Sequence, residues 1–428
     1  MNRKELEQYD FESLGIMPGL LKRLKALGFL HPTPIQHKAI PIATSGEDVV
    51  GIAQTGSGKT LAFAIPMMQH VSSKKEMGLV LLPTRELAVQ VEETLKKVGG
   101  PAGLRTALVI GGTNINPQKR QLKNKPHVIV ATPGRLIDHV EQGNITLDKI
   151  GILVLDEADR MLDMGFAPQL NKIMAFLPTE RQTMLFSATM PEEIAKIARN
   201  YMRSPLRVEV ARPGTTAKEI DQEVFIVPKV DKLMLLERLL REYTGQVLVF
   251  SRTKYGAKKI ARALRQSNFK AYETHSNRSQ NQRQKALKDF SSGKMRVLVA
   301  TDIAARGIDV SDIELVVNFD LPDQLEDYVH RIGRTGRAGR SGTAVSFASP
   351  EQKRDVAQIQ KLINMTLTIK SPEGNELDPI STATSGKYSA GKRGSSKGRG
   401  GRSSGGGRRG GRGGGGGRPR RAPYRKSR

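Results

Sequence analysis

The chain has 428 residues, of which 38% are hydrophobic, so it can form two or three domains with real cores, and wholesale disorder is excluded. A formal net charge of +27 indicates a polyanionic partner, of which nucleic acid is the commonest and an anionic membrane surface the alternative. The absence of cysteine excludes disulfides, thiolate metal sites and cysteine nucleophiles, which agrees with a cytoplasmic location. No apolar run approaches the roughly 18 residues of a membrane span, so we expect no membrane association.

The pattern of apolar runs predicts two α/β domains in tandem. Between about residues 30 and 205, segments of helical period alternate with the strand-like runs DVVGIA, MGLVLLP, RTALVI, HVIVAT, IGILVLDE and QTMLFSAT. The alternation restarts after about residue 218 with QEVFIV, GQVLVFS, MRVLVAT, IELVVNF and GTAVSFAS. Such strands are typical of a mostly parallel sheet with helices on both faces. The predicted domains are residues 1–207 and 218–370, joined by a linker over 208–217.

The first candidate site follows the first predicted strand. Ala53–Thr60 reads AQTGSGKT, between the strand-like VVGIA and the helical TLAFAIPMM. Gly56 and Gly58 allow backbone N–H groups to surround phosphate oxygens at a helix N-terminus, where Lys59 reaches the β/γ-phosphates and Thr60 ligates Mg²⁺. The strict P-loop motif has Gly at position 53, where this chain has Ala. The alternative interpretation is an ordinary glycine turn before a helix.

An acidic pair follows another buried run. In Ile152–Arg160 (ILVLDEADR), four apolar residues form a predicted strand that delivers Asp156 and Glu157 to the edge of the sheet, where ligands bind in open α/β sheets. The pair suits Mg²⁺ held through Asp156 and a water oriented or deprotonated by Glu157. An ordinary acidic loop is the alternative, which the neighbouring P-loop disfavours.

Near the end of the second unit, Arg331, Arg334, Arg337 and Arg340 recur every three residues. A solvated helix face would show the same spacing, but the glycines at 333, 336 and 339 would cost a helix roughly 3 kcal/mol relative to alanine. The segment therefore predicts a tight backbone with projecting guanidinium groups. Arginines of a second domain that face a P-loop suit the arginine-finger role.

The tetrad DEAD at 156–159 and the P-loop variant AxTGxGKT resemble the DEAD-box RNA helicases, in which Ala at the first P-loop position is routine. This resemblance implies two RecA-like domains that bind RNA and hydrolyse ATP with Mg²⁺. It extends over about residues 10–350, and its further matches are Phe11, Gly28–Gln36, Pro83–Leu87, Gly111–Gly112, Thr132–Arg135, Ser187–Thr189, Val249–Thr253, Gln280–Arg283, Ala300–Asp309 and His330–Arg337.

The resemblance also implies roles for the matched positions around ATP. Gln36 would read the adenine edge, Phe11 would pack against the ring and Asp309 would contact the ribose. The nucleotide-binding positions are Phe11, Gln36, Ala53, Gln54, Thr55, Gly56, Ser57, Gly58, Lys59, Thr60, Gly307 and Asp309. The catalytic positions are Lys59, Asp156, Glu157, His330, Arg334 and Arg337, with Thr60 and Asp156 at the metal. The positions that couple hydrolysis to RNA are Asp159, Ser187, Ala188 and Thr189.

The RNA-binding positions implied by the resemblance are Pro83, Thr84, Arg85, Gly112, Thr132, Pro133, Gly134, Arg135, Arg252, Gln280, Arg283 and Thr301. Hydroxyls, backbone N–H groups and arginines suit phosphate and sugar, which position RNA without reading its sequence. Aromatic residues are only 5% of the chain and Trp is absent, so extensive base-stacking platforms are not expected. We therefore expect little sequence preference. The helix after Arg135 would act as a wedge that bends one strand.

The predicted function is an RNA-stimulated ATPase and helicase that binds, bends and locally unwinds short RNA duplexes or remodels RNA–protein complexes. An ATP-gated RNA clamp, in which unwinding is incidental, is the alternative. A DNA helicase is disfavoured by the family match, and a catalytically dead scaffold by the presence of the catalytic residues. Within the family the chain looks most like the bacterial RhlE-type group, which implies ribosomal precursors or RNA-decay proteins as partners. We expect the core to be monomeric.

The segment 371–428 is rich in Gly, Ser and Arg, and is predicted to stay disordered because it has almost nothing to bury. Residues 381–428 contain 15 Lys and Arg and no Asp or Glu, so more than half of the net charge lies there. An inert linker and a non-specific RNA tether are the two interpretations. For a tether, we expect deletion of 381–428 to weaken RNA binding and to flatten its salt dependence, because fewer counterions are released. An unchanged salt slope in RNA titrations would contradict it.

Overall fold

A computed structural model of the chain describes residues 9–53, 56–210, 220–275, 277–305, 313–336 and 342–380, without the side chains of Gln280, Ile303 and Glu326. The tail was predicted to begin at residue 371, but residues 371–380 are described and bonded to the second domain: the Leu377 N–H donates to the Ile369 carbonyl oxygen and Gln360 Nε2 to that of Ile380, each at 2.8 Å. The rest of the predicted tail and most of the predicted linker lie outside these ranges. Among the helices inside them, none has the length and apolarity needed to span a bilayer.

The first domain contains a seven-stranded sheet preceded by two helices, each of which has Pro in its first turn, where the fixed φ of Pro suits a helix start. Its strands are β1 (Val49–Ile52), β2 (Met77–Leu81), β3 (Thr106–Val109), β4 (Val128–Ala131), β5 (Ile150–Asp156), β6 (Gln182–Ser187) and β7 (Leu206–Glu209). Its helices are α1 (Pro18–Ala26), α2 (Pro34–Thr44), α3 (Lys59–Ser73), α4 (Arg85–Gly99), α5 (Ile115–Lys123), α6 (Pro133–Glu141), α7 (Ala158–Asp163), α8 (Ala167–Phe176) and α9 (Glu192–Tyr201).

The strands of this sheet lie in the order β3-β4-β2-β5-β6-β1-β7, and all neighbours are parallel. The central strand β5 is buried along its whole length. Alternate residues of β5 enter opposite cores: Ile152 and Val154 pack with α2, α3 and α4, whereas Leu153 and Leu155 pack with α6 to α9. Each fully buried aliphatic side chain contributes roughly 1.5–3 kcal/mol, so this two-sided apolar strand requires helices on both faces.

The second domain is built in the same way. Its strands are β8 (Ile220–Ile226), β9 (Gln246–Phe250), β10 (Ala271–Thr274), β11 (Val297–Ala300), β12 (Ile313–Asn318), β13 (Gly342–Ala348) and β14 (Thr368–Lys370). Its helices are α10 (Lys232–Glu242), α11 (Lys254–Gln266), α12 (Gln280–Ser291), α13 (Asp302–Ala305), α14 (Leu325–Ile332) and α15 (Lys353–Ile363). The order β10-β11-β9-β12-β13-β8-β14 repeats that of the first sheet strand for strand, and every pairing is again parallel.

The predicted fold class is therefore confirmed: two tandem parallel sheets, each covered by helices on both faces. Because all strands of a sheet run in one direction, their carboxyl ends meet at one edge. In the first domain this edge carries Ala53, Asp156 and Ser187, which follow or end β1, β5 and β6. The first sheet ends at Glu209 and the second begins at Ile220, so the predicted linker lies largely between them.

Candidate active site

The P-loop lies between the end of β1 and the first turn of α3. Gly58, with φ of 90°, is the residue before the helix, and a Cβ there would lie 2.4 Å from Nε2 of Gln36. Only glycine fits this position without displacing that side chain. Lys59 is 7% exposed and its Nζ donates to the Ala53 carbonyl oxygen at 2.8 Å, so its ammonium group is held inside the loop. Gly56 is exposed, whereas Ser57 and Thr60 are half-buried.

Gln36 connects the start of α2 to the P-loop. Its Oε1 accepts a hydrogen bond from the backbone N–H of Thr33 at 2.9 Å, which completes a capping box. Its Nε2 donates to the Gly58 carbonyl oxygen at 2.9 Å, and the side chain is 3% exposed. Each end of the amide thus has a partner within the protein. The adenine contact of Gln36 stays a prediction.

Phe11 does not line an open site. It is 3% exposed and belongs to the hydrophobic core that α1, α2 and α3 share. By contrast, the ring of Tyr9 lies 3.9 Å from that of His37 on α2, and Phe29 is 39% exposed. The predicted packing of Phe11 on adenine stays a prediction.

Two buried carboxylates follow β5. Asp156 is its last residue, and Glu157 has a left-handed backbone (φ 52°) that turns the chain into α7. Both side chains are almost fully buried, at 5% and 4% exposed. Burial raises the pKa of Asp156 to about 7, because the charge of Lys59 only partly compensates for the lost water and Glu157 adds a like charge.

Glu157 is held in its ionised form. Arg160 Nη1 donates to Oε2 of Glu157 at 2.9 Å, and both side chains are at most 5% exposed. Burial alone would raise the pKa of Glu157, but Arg160, Lys59 and Arg334 outweigh it and hold that pKa below its usual value. The sequence-based prediction did not include Arg160, although its i,i+3 spacing from Glu157 on a helix start is a signal for such a pair.

Asp159 binds the segment after β6. Its Oδ2 accepts hydrogen bonds from the backbone N–H groups of Ala188 (3.0 Å) and Thr189 (2.9 Å) and from the Thr189 hydroxyl (3.0 Å). The Asp159 N–H in turn donates to Ser187 Oγ at 3.3 Å. Burial acts to raise the pKa of Asp159, but nearby Lys59, His330 and Arg160 lower it below its usual value. The four predicted coupling residues thus form one hydrogen-bonded unit.

The second domain contributes His330 and Arg334 to the same region. Together with Arg160 of the first domain they line a small cavity of about 10 Å³, roughly the space of one water molecule. Arg334 is 3% exposed, its Nε donates to the His330 carbonyl oxygen at 3.2 Å, and its charge helps to lower the pKa of Glu157. Burial lowers the pKa of His330 below its usual value. The structure therefore brings predicted catalytic groups of both domains together.

Arg331 is a buried anchor rather than a projecting group. It is 2% exposed and makes a two-point contact with Asp302, Nε–Oδ1 at 2.6 Å and Nη2–Oδ2 at 2.8 Å. Its Nη1 also donates to Asn318 Oδ1 at 3.1 Å and to the Asp320 carbonyl oxygen at 2.6 Å. These contacts hold α14 against the carboxyl ends of β11 and β12, which positions His330 and Arg334.

Predicted RNA contacts of both domains meet around Arg85. Its guanidinium lies against Gly112, where a Cβ would approach Nη1 to 1.8 Å, so this glycine permits the close approach. Arg283 of the second domain forms an ion pair with Glu86 of the first at 3.0 Å, and both side chains are less than 10% exposed. Burial and then the charges of Arg283 and Arg135 lower the pKa of Arg85. Because the positive charges of these arginines repel one another, binding of a polyanion such as RNA would stabilise the cluster.

The remaining predicted RNA contacts have varied surroundings. Thr84 and Thr132 precede α4 and α6 as N-terminal caps, Pro83 and Pro133 are buried, and Gly134 is exposed. Arg135 donates to the Thr113 carbonyl oxygen at 3.1 Å, and Arg252 pairs with Asp323 at 3.1 Å. Thr301 is half-buried beyond the end of β11. The predicted positions outside the described residues are Gln54, Thr55, Gly307, Asp309 and Arg337, together with the side chain of Gln280.

The residues present fit a magnesium nucleotide. Thr60 and Asp156 offer one hydroxyl and one carboxylate, and Mg²⁺ commonly takes only one or two protein ligands because phosphates and water complete its shell. In the described part of the chain, no three His, Asp or Glu cluster to hold a metal by themselves. The raised pKa of Asp156 marks a buried carboxylate with too little positive charge around it, a deficit that a divalent cation would remove.

This deficit predicts a pH-dependent stability. Because the folded-state pKa of Asp156 lies near 7 and its ordinary value is 3.8, the folded chain binds more protons than the unfolded chain between these values, so stability falls as pH rises through that window. At pH 8 in the presence of a metal chelator, we expect Asp156→Asn to be more stable than the wild type and to unfold at a higher temperature. The gain in free energy of unfolding should be a few kcal/mol at most, since each pKa unit is worth about 1.4 kcal/mol. The gap should close toward pH 4. A gap that is constant across pH in thermal melts would contradict the assignment.

Comparison with known proteins gives consistent matches. Residues 33–197 match the model of the DEAD/DEAH box helicase family, and residues 231–339 match the helicase conserved C-terminal domain. The chain is 44% identical to the DEAD-box ATP-dependent RNA helicase CshA of Geobacillus kaustophilus, covering 83% of this chain and 76% of that protein. It is 42% identical to the ATP-dependent rRNA helicase RRP3 of Debaryomyces hansenii, covering 85% and 77%.

Among solved structures, S. cerevisiae Dbp5 bound to RNA and ADP BeF3 superposes with a TM-score of 0.78 at 31% identity, covering 85% of this chain and 96% of that chain. The two sheets described above are therefore RecA-like domains. The sequence motifs, the paired sheets and these relatives agree, and the chain belongs to the family of DEAD-box ATP-dependent RNA helicases.

Proposed function

We propose that the chain hydrolyses ATP at the junction of its two RecA-like domains and uses the cycle to bind, bend and locally unwind short RNA duplexes or to remodel RNA–protein complexes. One observation carries this proposal: His330 and Arg334 of the second domain line one cavity with Arg160 of the first, whose guanidinium is bonded to Glu157. The catalytic groups of the two domains thus form one electrostatic unit.

The P-loop would hold the triphosphate. Backbone N–H groups at Gly56 and Gly58 would bind phosphate oxygens, and Lys59 would exchange its contact with the Ala53 carbonyl oxygen for the β/γ-phosphates. Gln36 is hydrogen-bonded to Gly58, so a contact of Gln36 with adenine would be linked directly to the P-loop. Mg²⁺, held through Thr60 and Asp156, would neutralise charge on the phosphate oxygens.

Glu157 would orient and deprotonate the attacking water. Its low pKa keeps it ionised near pH 7, so it can accept the proton as the water oxygen bonds to the γ-phosphorus. The bond from the γ-phosphorus to the bridging oxygen breaks, and ADP and phosphate leave. Arg334 and Arg337 would stabilise the charge that develops on the transferred group, as arginine fingers do.

Hydrolysis would be coupled to RNA through the hydrogen bonds of Asp159 with Ser187–Thr189, which link the catalytic loop to the next strand. Arg85, Arg135 and Arg283, which already lie together across the two domains, would form one phosphate-binding track. The helix α6, which begins beside the track at Pro133, would bend one strand of a duplex. When the γ-phosphate leaves, the contact that it makes with both domains would be lost, and the RNA would be released.

The names of the relatives extend the proposal to partners. The name of one relative, the ATP-dependent rRNA helicase RRP3, supports ribosomal precursors as substrates of this chain. RNA-decay proteins are further candidate partners. A cytoplasmic location and membership of the RhlE-type bacterial group remain proposals, because relatives come from yeasts and bacteria alike.

Strand displacement measured on duplexes of increasing length tests the proposal. Local unwinding predicts that the displaced fraction per ATP falls steeply with duplex length, and that RNA stimulates ATP turnover more than DNA of the same sequence. Displacement that is independent of length would indicate translocation instead. Normal ATP turnover with no displacement of even the shortest duplex would favour the alternative, an ATP-gated clamp.

A further inference from the structure

A buried polar pair, which has no role in the scheme above, joins two helices of the first domain. Gln118 lies on α5 and is 4% exposed, and His139 lies on α6 and is 0% exposed. Nε2 of His139 lies 3.3 Å from Oε1 of Gln118. Because an amide oxygen only accepts hydrogen bonds, the imidazole must donate from Nε2. Buried polar groups are costly unless they are bonded, so the bond between the two side chains is what permits their burial.

The amide nitrogen of Gln118 holds the loop 110–114, which follows β3. It lies within hydrogen-bond distance of three acceptors there, the Ile110 carbonyl oxygen at 3.0 Å, Thr113 Oγ1 at 2.8 Å and the Asn114 carbonyl oxygen at 3.3 Å. An amide can turn over and exchange its oxygen for its nitrogen. The donor from His139 fixes the oxygen on the side of α6, so the nitrogen stays on the side of the loop.

His139 has its proton where this bond needs it. Its Nδ1 has no hydrogen-bond partner among the described residues. Burial, and then the charges of Arg135 and Lys119, lower the pKa of His139, although Asp138 acts in the opposite direction. A second proton on the ring is therefore disfavoured, and the single proton lies on Nε2, where Gln118 accepts it.

The loop 110–114 also carries groups of the proposed RNA track. Gly112 leaves room for the guanidinium of Arg85, and the Thr113 carbonyl oxygen accepts from Arg135 Nη1 at 3.1 Å. Arg135 and His139 are four residues apart, so they lie on one face of α6, about one turn from each other. The helix is thus bonded to the loop through Arg135 and to α5 through His139. Two bonds one turn apart fix the direction of a helix, whereas a single bond leaves it free to pivot.

We propose that Gln118 and His139 are positioning residues for RNA bending: their bond fixes α6 at one angle to the loop 110–114, and strand separation depends on that angle. The inference rests on the proposed function, in which α6 bends one strand, and it adds two buried residues that touch neither RNA nor ATP. Without the bond, the arginines would still bind phosphates, but α6 could tilt away from the RNA. The expected signature is a smaller bend and fewer duplexes displaced for each ATP hydrolysed.

Two variants of His139 test the inference in the full-length chain. His139→Leu fills a similar volume but leaves Oε1 of Gln118 without a donor, whereas His139→Gln keeps an N–H donor near the position of Nε2. The bend is measured by energy transfer between the labelled ends of a single-stranded RNA, bound with Mg²⁺ and a non-hydrolysable ATP analogue. Displacement of a short duplex is measured per ATP hydrolysed. His139→Leu should move the ends apart and lower displacement per ATP by roughly 5- to 150-fold, the factor for one buried polar atom left unpaired. His139→Gln should behave much as the wild type.

Gln182→Met is the matched control for a loss of stability alone. Gln182 is 5% exposed at the start of β6, and its Nε2 donates to the carbonyl oxygens of Ala43 at 2.7 Å and Glu47 at 2.8 Å. It therefore also holds backbone through a buried amide, but at the edge of the sheet opposite the P-loop. This variant should melt at a lower temperature and keep the wild-type bend and displacement per ATP.

Three results would overturn the inference. They are a wild-type bend and wild-type displacement per ATP in His139→Leu, equal losses in His139→Leu and His139→Gln, and equal losses in Gln182→Met and His139→Leu. Failure of the proposed function looks different: the wild-type chain would then displace not even the shortest duplex. In that case the labelled RNA still decides the inference, because the bend must be present in the wild type and reduced in His139→Leu.

Discussion

Glu157→Gln is expected to bind ATP and RNA with nearly wild-type affinity while its ATP turnover falls by roughly 10²–10⁴-fold, the usual contribution of a positioned general base. The amide keeps the size of the carboxylate but cannot accept a proton. Arg160, at 2.9 Å from Oε2, still has an oxygen to contact, so the loop should keep its shape. Single-turnover hydrolysis with saturating RNA, together with separate nucleotide and RNA titrations, measures the effect.

Glu92→Gln is the matched control. Glu92 is also buried, at 5% exposed, but it lies on α4, where it accepts from Thr106 Oγ1 at 2.9 Å and pairs with Lys96. This variant should turn over ATP at the wild-type rate even if its stability falls. Normal hydrolysis by Glu157→Gln would show that another group activates the water.

Arg334→Lys is expected to lower RNA-stimulated turnover by roughly 10³–10⁵-fold, or about 4–7 kcal/mol of transition-state stabilisation. Lysine keeps the charge but not the planar fork that binds two phosphate oxygens at once. Because Arg334 belongs to the second domain, the loss should appear in the hydrolysis rate and leave ATP binding to the P-loop largely unchanged. Stopped-flow phosphate release and nucleotide titration separate the two.

Variants of two further arginines serve as controls that separate a loss of activity from a loss of stability. Arg331→Lys removes the two-point contact with Asp302, so it should lower the melting temperature as well as activity. Arg354→Lys, on the exposed surface of α15, should change neither. If Arg334→Lys loses activity only in proportion to a lost melting temperature, Arg334 is a structural residue and not a finger.

Periodicity and motif spacing predicted the fold well for a physical reason. Strands apolar on both faces, such as Ile152–Leu155, must be covered on both sides, and helices of matching length lie between them. The P-loop and the acidic pair were also predictable, because each follows directly on a strand end. Local patterns are sufficient where the site is built from residues that are close in sequence.

Contacts between distant residues were not predictable in this way. The ion pair between Glu86 and Arg283 joins two domains, and no local pattern announces it. Arg331 shares the three-residue spacing of its neighbours, yet Asp302 at the start of α13 and Asn318 at the end of β12 draw it into the interior. In each case, the partner that decides the role comes from elsewhere in the chain.

We propose that one ATP site is formed by groups of both domains, Lys59 and Glu157 of the first and Arg334 of the second. Each domain has its own core: among the described residues, none of the first core comes after 210 and none of the second before 220, so each can be prepared separately. The decisive measurement is RNA-stimulated ATP turnover by the two halves, divided within residues 208–217, alone and against the intact chain. We expect the first half to bind ATP and neither half to show RNA-stimulated turnover. Full stimulated turnover by the first half alone would contradict an ATP site shared between the domains.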